Sequence, residues 1–284
     1  MLTIATQKSG RLSEQTRKLL TDAGINFCND QPAQLKSTAL NFPIQVLFLR
    51  DDDIPDCVSR GVADAGIVGE NICFEKNKSI KIIEKLGFAK CRLSIALPKQ
   101  ANYESAKDLN GLTIATSYPV ILDKFLKKQG IDASIQQING SVEISPGIGL
   151  ADAIFDIVST GSTLISNGLK EVETVMKSES VLISGQDLDE EKSRILDKLL
   201  FRIRAVKQAG NNKYILLNAP NHSLDDIIEI LPGVKSPTIM PLAMKGWSSV
   251  HTVIKEDEFW ENIESLKNAG AQGILVVPIE KMII

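Results

Sequence analysis

The stretch Asp152-Ala153-Ile154-Phe155-Asp156-Ile157-Val158-Ser159-Thr160-Gly161-Ser162-Thr163-Leu164 runs from an apolar segment into a cluster of hydroxyls around one glycine. Ile154, Phe155, Ile157 and Val158 are strand formers, and the following Leu164-Ile165-Ser166-Asn167-Gly168-Leu169 predicts a short helix closed by glycine. The turn between them therefore falls at a helix N-terminus, where free N–H groups and the positive end of the peptide dipoles favour a phosphate. Ser159, Thr160, Ser162 and Thr163 add hydroxyl donors without bulk, and Gly161 lets the backbone come close to a ligand. Asp152 and Asp156 have the wrong sign for phosphate but suit ribose hydroxyls or a phosphate-bound Mg²⁺. A sugar phosphate is the simplest ligand that satisfies both demands. The same residues also describe an ordinary strand-to-helix turn with Ser or Thr as N-cap.

The chain has 284 residues, enough to bury a sizeable core and to split into two or three domains. Its 43% hydrophobic and 24% charged residues are those of a soluble globular protein. A net charge of -3 argues against a general nucleic-acid or membrane-surface binder, because either would want a basic face. Any polyanionic ligand must meet a local cluster of Lys and Arg. Cys28, Cys57, Cys73 and Cys91 show no close-paired spacing, and the only histidines are His222 and His251, which speaks against a structural zinc site. Unpaired cysteines fit a reducing cytosol. Leu2-Thr3-Ile4-Ala5-Thr6 reads as a strand without the apolar region of a signal peptide, and no apolar run approaches membrane-spanning length, so the expected location is cytoplasmic.

Strand and helix patterns alternate from the N-terminus. After the first strand, Ser9-Gly10 opens a helix with Lys8 and Arg11 at its entrance; Ile44-Gln45-Val46-Leu47-Phe48-Leu49 is a second strand ending in Arg50-Asp51-Asp52-Asp53, and 64–71 a third strand and turn. This is a parallel α/β layout, with ligands expected at the C-terminal ends of the strands. The pattern restarts at Gly111-Leu112-Thr113-Ile114-Ala115-Thr116, which divides the first part into lobe I, 1–97 with 183–209, and lobe II, 98–182. Two α/β lobes with the chain returning to the first describe a fold resembling type II periplasmic binding proteins, with a ligand cleft between the lobes. A long helix over 190–209 is broken at Gly210-Asn211-Asn212, and 210–284 then reads β-α-β-β-α-β, the ferredoxin-like α+β order of ACT-type regulatory modules.

The stretch from Asn139-Gly140-Ser141-Val142-Glu143 to Leu169 resembles the 5-phosphoribosyl-1-pyrophosphate (PRPP) loop of the ATP phosphoribosyltransferase family, the first enzyme of histidine biosynthesis. Gln7-Lys8-Ser9-Gly10-Arg11-Leu12, Arg50-Asp51-Asp52-Asp53-Ile54-Pro55, Gly69-Glu70-Asn71, Cys91-Arg92-Leu93, Ala115-Thr116-Ser117-Tyr118-Pro119 and Pro278-Ile279-Glu280-Lys281-Met282 resemble the same family in the same order. The resemblance implies a glycosyltransferase that joins ATP to PRPP with Mg²⁺. It implies Glu143, Asp152 and Asp156 at the ribose, Ser159, Thr160, Gly161, Ser162 and Thr163 at the 5-phosphate, and Lys8, Arg11, Arg50, Glu70, Arg92 and Tyr118 at ATP and pyrophosphate. It names no metal ligand. In the long form the C-terminal module binds L-histidine as inhibitor. That implies Asn218, Thr238 and Gly273 as effector contacts, with Asn218 standing where some relatives carry an acidic residue. The family's members of this length form dimers and hexamers. Fold layout alone would favour a two-lobed small-metabolite sensor or binding protein with an oligomerisation domain, since such lobes more often bind than catalyse.

Overall fold

Strand β1 (Leu2–Gln7) buries Leu2, Ile4 and Ala5 completely, as a run of apolar residues does when both faces of a parallel sheet are covered. The computed structural model describes residues 1–27 and 35–284; Cys28 lies outside the described residues. Helix α1 (Arg11–Asp22), short strand β2 (Lys36–Thr38) and β3 (Ile44–Leu49) follow, then α2 (Ile54–Ser59), β4 (Ala65–Gly69), α3 (Glu70–Lys76) and β5 (Lys81–Lys85). Next come β6 (Cys91–Pro98), β7 (Thr113–Thr116), α4 (Pro119–Gln129), β8 (Ser134–Gln137), β9 (Ala153–Val158), α5 (Ser162–Ser166) and β10 (Leu169–Ser178). Strand β11 (Ser180–Ser184) precedes the 21-residue helix α6 (Glu190–Gly210). The chain ends with β12 (Asn212–Pro220), α7 (Leu224–Ile230), β13 (Thr238–Pro241), β14 (Trp247–Lys255), α8 (Glu256–Asn268) and β15 (Gln272–Pro278).

These strands form three sheets: six strands in the order β2-β3-β1-β4-β11-β5, five in the order β10-β6-β9-β7-β8, and four in the order β13-β14-β12-β15. The residues fall into two compact units, Met1–Lys18 with Ile25–Leu196, and Leu19–Gly24 with Asp197–Ile284. The first unit holds the two larger sheets. In the first sheet β1, β3 and β4 run parallel and β11 returns antiparallel to β4. Its core packs Ile54, Val58 and Ile72 against Ala5, Val68, Val181 and Ile183. The second sheet packs Leu93, Ile95 and Phe155 against Ile121, Leu122 and Leu126 of α4.

Two boundaries differ from the sequence expectation. Strand β6 was expected at the end of lobe I, but it lies inside the second sheet between β10 and β9; β11, expected as the end of lobe II, lies in the first sheet between β4 and β5. The chain thus crosses between β5 and β6 and returns between β10 and β11. Pro98 ends a strand but not a lobe: Leu93, Ile95 and Ala96 before it are fully buried with partners on both sides. Strand β10 carried no readable alternation because two register shifts interrupt its pairing with β6.

In the second unit the four-stranded sheet is antiparallel throughout. Ile215, Leu217 and Val250 are buried on one face with Ile227 of α7 and Phe259 and Leu266 of α8. Leu216, Asn218, Ser249 and His251 alternate onto the other face, where Tyr214 Oη and His251 Nδ1 lie 2.7 Å apart. No helix among the described residues is long and apolar enough to cross a membrane.

Gly66 shows how tightly α2 crosses β4. A Cβ there would lie 2.7 Å from Ile54 Cγ2, 3.1 Å from Val58 Cγ2 and 3.3 Å from Ile183 Cγ1. These are buried β-branched side chains with little freedom to move aside. Gly66→Ala should therefore destabilise the first unit by about 1–3 kcal/mol through overpacking. Urea denaturation with matched slopes checks it, and an unchanged midpoint would contradict the packing described.

Candidate functional site

The hydroxyl-rich turn sits at the C-terminal end of β9, and α5 begins at Ser162, two residues earlier than expected from Leu164. Gly161 occupies the N-cap with φ +83°, a conformation glycine adopts without strain. Among the described residues, and apart from Gly161's own chain neighbours, a Cβ built there meets only Val158 Cγ1, at 3.9 Å, so space is left beside the turn. Ile165 N–H bonds back to the Gly161 carbonyl at 3.1 Å, and the N–H groups preceding it have no acceptor within the helix. The hydroxyls of Thr160 and Ser162 lie 3.0 Å apart, and Ser159, Thr160, Ser162 and Thr163 are all exposed.

Strand pairing brings other elements to the same edge. Strands β7 and β9 are parallel with Thr116 opposite Phe155, so Ser117 and Tyr118 leave the sheet beside Asp156. Strand β6 runs antiparallel to β9, placing Ser94 opposite Asp156 and Arg92 opposite Val158. Arg92 Nη1 donates to the Ser159 carbonyl at 3.2 Å, and Arg11 Nη1, from the first residue of α1, donates to Ser159 Oγ at 3.4 Å. Arg92 also donates from Nε and Nη2 to both carboxylate oxygens of Glu171, and Ser94 Oγ donates to Glu171 Oε1 at 2.7 Å. Hydrogen bonds from Arg92 hold the Glu171 carboxyl down at about 2.

Asp156 is half-buried, and burial pushes its carboxyl up to about 6, with the nearby Glu143 charge adding to the rise; the Ile157 N–H, 2.7 Å away, opposes it. Glu143 lies on the 3-10 turn Val142–Ile144, whose Val142 packs with Ile154, Val158 and Leu164. Burial, followed by the charges of Asp156, Asp51 and Asp52, pushes the Tyr118 phenol up, so it is a neutral hydroxyl at physiological pH. The backbone of Tyr118 is fixed by its N–H to Thr116 Oγ1 at 2.8 Å.

A cavity of about 430 Å³ opens beside the turn, lined by Glu70, Lys85, Lys90, Arg92, Ser159 and Lys177 among others. Glu70, a buried residue, is ion-paired with Lys85 at 3.0 Å. Lys90 and Lys177 have no ion-pair partner among the described residues, and Lys177 lies directly opposite Arg92 in the β6–β10 pairing. Sequence reasoning missed both lysines, because single exposed cations carry no local signal. Their place beside Arg92 comes from β10, which the sequence did not reveal. Lys8 and Arg50, both exposed, follow β1 and β3, whose register sets Gln7 opposite Leu49. They leave the first sheet side by side at the C-terminal ends of its strands.

Asp152 is not brought to this edge. It precedes β9, and its Oδ2 accepts the Thr113 N–H at 2.8 Å while its own N–H donates to the Thr113 carbonyl. Four residues of strand put it roughly 13 Å from Asp156 along the chain. These two bonds pair the starting ends of β7 and β9, so the structure sets Asp152 apart from the residues gathered at the turn. Among the effector candidates, a Cβ at Gly273 (φ +57°) would lie 3.4 Å from Asn218 Nδ2, so those two are neighbours. Thr238 pairs with His251 on β14, one strand removed from Asn218 on β12.

Cys57, Cys73 and Cys91 are free thiols, and burial pushes the Cys73 thiol up to about 12. None is activated as a nucleophile. Among the described residues no group of three His, Cys, Asp or Glu could enclose a metal ion. The donors at hand, Asp156 and Glu143, suit a Mg²⁺ that brings most of its oxygen ligands from phosphates and water.

Comparison with known proteins extends over the whole chain. The family described as ATP phosphoribosyltransferase matches residues 50–205, and the domain described as HisG, C-terminal domain matches residues 209–281. The ATP phosphoribosyltransferase of Bacteroides thetaiotaomicron is 60% identical over 284 residues, covering 100% of both chains. That of Cytophaga hutchinsonii is 58% identical over 283 residues, covering 100% of this chain and 99% of its own. Among solved structures, the ATP phosphoribosyl transferase (HisG:HisZ) complex from Thermotoga maritima aligns with TM-score 0.61 and 26% identity over 72% of this chain and 99% of that one. A substrate binding protein of an amino acid ABC transporter aligns with TM-score 0.50 and 13% identity over 74% of this chain and 94% of that one, a likeness of fold alone. The two larger sheets are thus a periplasmic-binding-protein-like pair of lobes, and the four-stranded sheet is the C-terminal domain. A turn of hydroxyls and glycine on such a pair of lobes could serve a binding protein as well as an enzyme, and full-length identity decides between them: the chain belongs to the ATP phosphoribosyltransferase family, in its long form, and is a pentosyltransferase.

Proposed function

We propose that the protein condenses ATP with PRPP, the adenine N1 attacking C1 of the ribose and pyrophosphate leaving. A C1–N1 bond forms as the C1–O bond breaks with its electron pair on pyrophosphate, so the anomeric centre inverts to N1-(5-phospho-β-D-ribosyl)-ATP. The observation that carries the reading is the open turn at Gly161, with Arg11 and Arg92 both reaching Ser159. Ser159, Thr160, Gly161, Ser162 and Thr163 hold the 5-phosphate by N–H and hydroxyl donors. Asp156, and Glu143 from the neighbouring turn, face the ribose, where a carboxylate orients hydroxyls and opposes the positive charge that develops as pyrophosphate departs. Arg11, Lys8, Arg50 and Tyr118, with the unpaired Lys90 and Lys177, serve the phosphates of ATP and the leaving group. Mg²⁺, when bound to the phosphates, supplies charge neutralisation on the leaving group. Adenine N1 is already a nucleophile, so the protein's task is positioning.

The same reading makes this the first step of L-histidine biosynthesis, carried out in the cytoplasm by dimers that assemble into hexamers. Histidine binding to the C-terminal domain, at Asn218, Thr238 and Gly273, inhibits it. Such an effector acts only by preferring one arrangement of the assembly over another.

Mixing ATP, PRPP and Mg²⁺ with the protein should raise the near-ultraviolet absorbance of an N1-substituted adenine. No product under those conditions, with PRPP bound and ATP bound, would overturn the reaction.

Asp156 must be ionised to oppose a cation, and its carboxyl at about 6 predicts that kcat/KM for PRPP rises with pH through about 6. Asp156→Asn should lower kcat by roughly 10²-fold. It should also remove that limb of the profile. A limb that survives in the variant belongs to the substrate's own phosphates and counts against the assignment.

At the turn, Gly161→Ala places a methyl group where the ligand must approach and strains a position at φ +83° by about 1–2 kcal/mol. PRPP affinity should fall while ATP affinity holds; calorimetry with each substrate separates the two. For the regulatory reading, Asn218→Ala and Thr238→Ala should each weaken L-histidine binding and inhibition without changing uninhibited turnover. Full histidine affinity in both variants would move the effector elsewhere.

A further inference from the structure

Arg92 is expected to meet substrate, yet most of its guanidinium is already committed inside the protein. Nε and Nη2 form a two-pronged pair with the Glu171 carboxylate, and only Nη1 reaches the turn, at the Ser159 carbonyl. Glu171 is itself braced. Its Oε1 accepts Ser94 Oγ at 2.7 Å and Thr174 Oγ1 at 3.3 Å.

The strand is shaped to make this possible. Register shifts in β10 fall between Glu171 and Glu173 and between Thr174 and Met176, so Glu171 stands opposite Ala96, Thr174 opposite Ser94 and Lys177 opposite Arg92. Residues three apart on a regular strand point to opposite faces. Here each shift inserts one residue, and Glu171, Thr174 and Lys177 all come to the face that carries Arg92 and Ser94. Val172 and Val175, the inserted residues, pack into the core on the other side. Asp156 lies on that first face too, opposite Ser94 on the far side of β6.

We infer that Glu171 is a positioning residue for the phosphate turn: it fixes the plane of the Arg92 guanidinium so that Nη1 holds the Ser159 carbonyl and, through it, the turn from Ser159 to Thr163. Glu171 touches no substrate. A guanidinium with two N–H groups clamped on one carboxylate has its plane fixed, so its remaining N–H groups, those of Nη1 among them, point in set directions, which a freely rotating cation's would not. The bulged strand thereby turns a surface arginine into part of the frame of the turn. This inference rests on the reading of that turn as the PRPP site.

A double-mutant cycle on the full-length protein tests it, with PRPP and Mg²⁺ titrated calorimetrically and KM measured for both substrates on the parent, Glu171→Gln, Arg92→Lys and the double variant. Glu171→Gln should weaken PRPP about tenfold, keep KM for ATP within about twofold, and lose most of its effect when Arg92 is already lysine. Ser94→Ala leaves both charges in place and removes one brace, so it should shift PRPP affinity in the same direction by a smaller factor. Equal losses of PRPP and ATP affinity accompanied by a lowered melting temperature overturn the inference in favour of a purely structural ion pair, as does a full Glu171→Gln effect in the Arg92→Lys background. A parent that binds no PRPP overturns the reading of the turn, and the role of Glu171 with it. A parent that binds PRPP while the two variants add independently overturns the role of Glu171 alone.

Discussion

The antiparallel pairing of β6 with β9 is the constraint on which the candidate site depends. It sets Arg92 against Val158 and Ser94 against Asp156, and so delivers a guanidinium to the last residues of the strand before they enter the turn. Without that register the turn would be a glycine flanked by hydroxyls, with nothing to fix its carbonyls. With it, Ser159 is held from two directions, through its carbonyl by Arg92 and through its hydroxyl by Arg11. Parallel pairing of β7 with β9 adds Tyr118 and gathers the site at strand C-termini, where open α/β sheets place their ligands.

Electrostatics at this edge are divided by burial. Glu171 receives charge-assisted hydrogen bonds and stays ionised at any physiological pH, whereas Asp156, half-buried beside Glu143, is held near the neutral range. Two carboxylates on one sheet face therefore differ in charge state, Glu171 fixed as an anion and Asp156 able to change its charge near neutral pH. Lysines follow a similar division: Lys85 is ion-paired with Glu70, while Lys90 and Lys177 line the cavity with no ion-pair partner among the described residues. A protein of net charge -3 thus presents a local cationic surface.

Sequence alone determined much of this. Periodicity placed β1, β3, β9, α1 and α6 nearly where they lie, because each is a run whose apolar residues recur at the spacing of its own element. The β-α-β-β-α-β order of the C-terminal module was also legible, since Gly210-Asn211-Asn212 breaks the chain and short loops separate clear patterns. The hydroxyl-rich turn was legible for a local reason: glycine and hydroxyls directly after an apolar strand are a property of consecutive residues.

Tertiary structure decided which residues share the edge, and it did so through strand order. Asp152 and Asp156 look equivalent in sequence, but four strand residues separate them, so one pairs the entry ends of β7 and β9 and the other stands at the exit. Glu171, Lys90 and Lys177 carried no signal, because their importance comes from pairing with β6 across more than seventy residues of chain or from the cavity that pairing creates. Pro98 marked a strand end that passed for a lobe boundary, since a local stop signal does not say which sheet a strand joins. Neighbouring residues dictate backbone conformation, whereas register between distant strands is set by which faces bury together, and only the folded chain contains that information.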